Sequence, residues 1–224
     1  MGCSKRKTEI FSHFDTTYTS RVQQLANESI KSSIIDSIKK NKEDSIYYSK
    51  NRIWIIADSM TLRLPPSRFN LPDSIISYLE TNGYTIPQIW FEKKTHNVIS
   101  GSFSKAGQRD WAVLASKNRI SSIMIFWNGS VHDITELEKM TDESFLQVVA
   151  KDSIGFSRYI STADTATILG YQRMWKNYAE EYGGDYDIDI SIIDHDGIEE
   201  AFVEKASGIH YLHNKNWLRF SGAD

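Results

Sequence analysis

A single cysteine, Cys3, is all the thiol chemistry this chain carries. That excludes an internal disulfide framework, a Cys-based zinc site and a CxxC redox centre together. No apolar run approaches the roughly 20 residues that span a bilayer as a helix. Four prolines and 12 glycines in 224 residues leave no room for a long low-complexity linker. A basic excess is also missing, with 26 Lys and Arg against 29 Asp and Glu and a net charge of −3. No global field recruits nucleic acid, and none is expected as a partner. There is no GxGxxG fingerprint, P-loop or GxSxG nucleophile elbow, so neither nucleotide binding nor a serine nucleophile has support. Three Ser-x-x-Lys matches, at Ser4, Ser37 and Ser102, have no companion motif and read as chance.

What is present is ordinary globular composition, 40% hydrophobic and 25% charged, with 12% aromatics. Residues 1–19 read as a polar tether. Val22, Ala26, Ile30, Ile34 and Ile38 recur every four residues and predict an amphipathic helix over 20–45. The remainder, 46–224, is expected as one α+β domain with a mostly antiparallel or mixed sheet and several flanking helices. "IYYSKNRIWIIA" reads as one or two strands, rich in Ile, Tyr and Trp. "DSIISYLETNG" reads as a helix entered after Pro72 and stopped at Gly83. "DWAVLAS" and "ISSIMIFW" are core strands joined by the polar connection "SKNR". "DITELEKM", "STADTATILGYQRMWKNYAEEY" and "DHDGIEEAFVEKAS" are expected as helices, and "GIHYLHNKNWLRFSG" as a closing hairpin. No internal repeat is evident.

The loop in "SGSFSKAGQRDWAVLA" has a distinctive outline. Gly101, Phe103, Gly107, Asp110, Ala112 and Val113 match positions of FG-GAP and related calcium-bearing repeats, which this stretch resembles. Such repeats wrap a hard cation in short acids at alternating loop positions. Here Ser102, Ser104 and Ala106 stand at the ligand positions, with Lys105 among them. One carboxylate beside a lysine does not make a calcium site. Gly107 and Asp110 are therefore expected as a structural turn, the glycine permitting the bend and the acid accepting loop hydrogen bonds. The motif occurs once, which excludes a β-propeller.

Three longer stretches, "LPDSIISYLETNGYTIPQ", "NVISGSFSKAGQRDWAVLASKNRISSIMIFW" and "IDHDGIEEAFVEKASGIHYLHNKNWLRFSGAD", resemble a group of uncharacterised bacterial proteins, many of them exported. The likeness spans most of Leu71 to Asp224 and departs at Ala115, where relatives are expected to carry cysteine. It implies export, which bears on "MGCSKRK". Gly2-Cys3 is similar to the end of a bacterial lipobox, making Cys3 the expected lipid attachment point and the envelope or periplasm the expected location. Two other readings stay open: a myristoylated Gly2, weakened by Arg6 where the motif wants Ser or Thr, and a plain cytoplasmic terminus. Membrane contact is expected only through a lipid on Cys3.

Chemistry concentrates in "IDHDGIEE", where Asp194, His195, Asp196, Glu199 and Glu200 lie together. As a site they would hold a divalent metal or act as general acid and base. As structure they are a helix cap with acids in its first turn. His210 and His213 are an HxxH, but three apart on a strand they face opposite sides. Trp90, Trp111, Trp127, Trp175 and Trp217 either line a groove or fill the core. No catalytic residue, metal or cofactor is assigned. The reading favoured is an exported binding or accessory module whose partner is an envelope protein or glycan. The alternative is a hydrolase or metal-dependent enzyme using Asp194, His195 and Asp196.

Overall fold

A computed structural model describes residues 45–151, 153–183 and 193–222, apart from the side chains of 45–51 and 53. The expected tether and the helix of 20–45 lie outside the described residues, as does most of "DYDIDISIID". The chain divides into units of 1–53 and 54–224. The described part has an α+β fold with mostly antiparallel sheets.

Helix α1, Ser45–Met60, crosses the boundary between the units. Strands had been expected over this segment. Its Ile, Tyr and Trp content favours β structure only weakly, and tertiary context overrides such a preference. Within 54–224 the helix buries Ala57 and Asp58 while Ile55 and Met60 are exposed. Asp58 accepts from Arg63, and Arg63 also donates to Asp142 at 2.9 Å. A short two-stranded ladder, β1 (Arg63–Leu64) with β2 (Ile86–Pro87), brackets the Pro-rich turn and helix α2 (Asp73–Thr81). Pro72 precedes α2, and Gly83 follows it at φ 75°.

The first large sheet is an antiparallel meander of β3 (Val98–Gly101), β4 (Asp110–Lys117), β5 (Ile120–Phe126) and β6 (Ile134–Thr141). The second orders β12 (Asn216–Ser221), β11 (Ala206–His213), β10 (Gly197–Phe202) and β9 (Arg158–Ala163), again antiparallel. A hairpin of β7 (Leu146–Ala150) and β8 (Ser153–Phe156) connects them, and α3 (Thr165–Tyr182) separates β9 from β10. Two expected helices are strands. "DITELEKM" forms β6, and "GIEEAF" forms β10, so the helix-cap account of Asp194 and Asp196 falls. Apolar spacing at Ile198, Ala201 and Phe202 suits a helical face, and a strand holding Glu199 and Glu200 has no apolar alternation to announce it.

Period-two alternation makes the layers. Ala112, Leu114, Ile123 and Ile125 face a shared core with Ile160 and Ile198 of the second sheet. Val113, Ala115, Met124 and Phe126 point the other way, onto Ile75 and Leu79 of α2. On the far side Ile209, Tyr211 and Phe220 pack with Ile168 of α3. The order is therefore α2, first sheet, second sheet, α3. Asn97, at φ 71° and 1% exposed, ties the sheets at one edge. It donates to Pro87 O at 2.7 Å and accepts from Ile160 N at 3.0 Å.

Candidate functional site

The loop between β3 and β4 is closed by Asp110. Its Oδ2 accepts from Phe103 N at 3.0 Å, Ser104 N at 3.2 Å and Ser104 Oγ at 3.2 Å. Its Oδ1 accepts from Gln108 Nε2 at 2.6 Å and Asn128 N at 2.8 Å. Five donors use up the lone pairs of a fully buried carboxylate. Gly107 turns the loop at φ 79°, open to left-handed backbone only for residues that tolerate it.

Asp194, His195 and Asp196 lie just before β10, and Asp196 meets that same loop while the other two face β11. Asp196 Oδ2 accepts from Ser102 N at 2.8 Å, and its own N donates to Ser102 O at 2.9 Å. Gly101 leaves the room, since a Cβ there would stand 3.0 Å from Asp196 Oδ2. His195 lies flat on Tyr211 with centroids 4.3 Å apart, and its ring nitrogens face Asp196 O and Leu212 O, each at 2.9 Å. Burial raises the Tyr211 phenol above its ordinary value. Asp194 Oδ1 is 3.5 Å from the Tyr211 hydroxyl. The three are neighbours, but His195 and Asp196 spend their polar atoms on the protein, as a clasp to Leu212 and Ser102, while Asp194 is exposed.

An open cavity of about 450 Å3 lies at the β3 edge of the first sheet, on the face that α2 covers. Val98 and Ser100 of β3 and Trp111 of β4 share that face through the register Ser100–Trp111. Arg68, from the short helical turn after Pro65, and Arg109, just before β4, complete it with Asn70 and Thr95. The Arg109 guanidinium stacks 4.8 Å from the Trp111 ring centroid, which pre-sets a long side chain. Neither arginine has a carboxylate partner among the described residues, and no acid lines the cavity. Sequence reasoning named Trp111 but missed Arg68 and Arg109, whose convergence needs the Pro-rich turn to fold back on β3.

The other tryptophans differ. Trp90 is 45% exposed, and Trp127 and Trp217 stack on each other 6.1 Å apart against the inter-sheet core. Trp175 donates to Ser221 O.

A second cluster is ionic and interior; sequence reasoning named Glu200 and His210 separately but missed Arg158 and their convergence. Arg158 of β9 is fully buried between the sheets. Its Nε donates to Glu200 Oε1 at 2.7 Å, and its remaining nitrogens reach Ser121 O, Ser121 Oγ and Glu138 O. His210 Nε2 meets Glu200 Oε2 at 3.1 Å. Burial pushes the Glu200 carboxyl up, but the His210 hydrogen bond and the Arg158 charge outweigh it, holding the group below its ordinary value.

No protein-family model matches the chain, and searches of curated proteins and of solved structures return no match either.

Proposed function

We propose that the protein is a binding or accessory module of the cell envelope that recognises an anionic group on an envelope protein or glycan. The observation that carries this reading is the open cavity where Arg68 and Arg109 converge beside Trp111, with no carboxylate partner among the described residues. Two guanidiniums lining one cavity favour a carboxylate, sulfate or phosphate bidentately, and a half-buried indole adds a flat apolar wall. Envelope placement rests on Gly2-Cys3, and intact mass of the protein from its host tests it through a lipid adduct on Cys3. Among the described residues no helix is long and apolar enough to cross a membrane.

Retention on immobilised acidic and neutral envelope polysaccharides tests the recognition. Wild type is expected on the acidic matrix, eluting with salt, and Arg68→Ala/Arg109→Ala is expected to lose at least tenfold in affinity. Equal retention on neutral matrices, or by the double variant, overturns it. The hydrolase alternative at Asp194, His195 and Asp196 has less support, because His195 has a carbonyl at each ring nitrogen and Asp196 holds Ser102. A folded His195→Ala that loses a hydrolytic or metal-dependent activity would restore it.

A further inference from the structure

We propose that Glu138, Glu200 and His210 form a divalent-metal site between the two sheets, suited to zinc. It is independent of the cavity at Arg109 and goes beyond the binding reading.

The three donor atoms lie within 4.8 Å of one another. His210 Nε2 is 3.1 Å from Glu200 Oε2 and 4.0 Å from Glu138 Oε1. Zinc holds imidazole and carboxylate at about 2.0–2.2 Å, so the edge of its tetrahedron is about 3.4 Å, close to both separations. One imidazole with two carboxylates suits zinc better than calcium, which asks for six or more oxygens. The ligands come from three strands, β6, β10 and β11, and are therefore fixed by sheet register.

Glu138 reaches the site through a bulge. The register of β5 and β6 shifts between Ser121 and Ile123, and Glu138 takes φ 49°. An extra residue in β6 thus turns a carboxylate toward the interior while its side chain keeps 35% exposure. That exposure leaves an approach for the ion and room for water as a fourth ligand.

The cations nearby leave the donor atoms available. Arg158 binds Glu200 through Oε1, so Oε2 is left to His210 and the ion. This is the outer-shell support that ligating carboxylates need. Arg219, 55% exposed, has its Nε 3.9 Å from Glu138 Oε1 and is free to turn to solvent. His210 Nε2 faces the Glu200 carboxylate and so carries the ring proton there; a metal takes the Nε2 lone pair, and the neutral ring's single proton passes to Nδ1.

The test is zinc competition against a chromophoric chelator, using the full chain, with cobalt absorption as a second readout. Expected are one saturable site per chain and the intense visible band of four-coordinate cobalt. Glu138→Gln is expected to weaken zinc at least tenfold and abolish the band, with an unchanged melting temperature in EDTA. His210→Gln should do the same, and if it fails to fold, Glu138→Gln decides alone. Absence of saturable binding, or binding that Glu138→Gln leaves intact, overturns the proposal.

Discussion

The two large sheets face one another across a shared core and fill it by different means. From the first come Ala112, Leu114, Ile123 and Ile125, all apolar and all fully buried. From the second come Ile160 and Ile198, interrupted by Arg158, Glu200 and His210 on the same inward face. Apolar burial is non-directional, so the first sheet contributes adhesion without fixing where the second must lie. The Arg158 fork is directional. It reaches Ser121 of β5 and the Glu138 carbonyl of β6 as well as Glu200 of β10, and it stacks 4.3 Å from the Phe145 ring centroid. The difference teaches that one layer holds by area and the other sets alignment.

Breaking the aligned side should cost most. Arg158→Ala strands Glu200 as a buried charge and opens a cavity, and about 3–5 kcal/mol of stability should be lost. Urea unfolding measures it. The sharper test is Arg158→Met with Glu200→Leu, which removes both charges and is expected to recover most of that loss. If the pair leaves the protein as unstable as Arg158→Ala, alignment is not what the ions supply.

Leu114→Ala makes the same comparison from the apolar side. A fully buried leucine lost to alanine should cost about 3 kcal/mol in the same unfolding assay. Ligand or metal binding should be unaffected in the folded fraction, since area and not geometry is removed.

Legibility in the sequence follows the same division. β4 and β5 announce themselves because both faces are covered and each carries a run of apolar residues, Trp111–Ala115 and Ile123–Phe126. Helix α3 was readable except at its start, since Ser161–Ala163 belong to β9 and the cap is Asp164, accepting from Thr167 N at 2.8 Å. β10 was not, because its inward glutamate is paid for by an arginine 42 residues away, a partnership no local pattern reveals. β6 was hidden by its bulge, which breaks strand alternation at Glu138. Asp110 was recognised because a lone acid after a glycine turn has a local use. The Arg68 and Arg109 cavity and the Glu138, Glu200 and His210 cluster are products of tertiary register.

Acid titration separates the sheets at a finer scale. The folded Glu200 carboxyl is held below its unfolded value of about 4.3, so its contribution is present above that pH and lost as pH falls through the folded value. Glu200→Gln should therefore be less stable than wild type near neutrality by about 2 kcal/mol, the worth of charged hydrogen bonds. The two stability curves should converge below about pH 4. Parallel curves across that range would show that Glu200 titrates alike in both states.

The smallest effect concerns the turns that the two sheets share. Asn118-Arg119 joins β4 to β5 at φ 52° and 62°, and Asn214-Lys215 joins β11 to β12 at φ 49° and 67°. Paired positive φ marks the mirror-image hairpin turn that favours Asn-Gly. Lys215→Gly relieves left-handed strain at an exposed position and should gain about 0.5 kcal/mol, after glycine's larger unfolded entropy is set against it. Arg119→Gly relieves the same strain but gives up the ion pair with Asp58, so its gain should be smaller. Thermal unfolding of the two variants side by side measures this, and an equal gain would mean that the Arg119–Asp58 contact adds nothing to the hold of α1 on the first sheet.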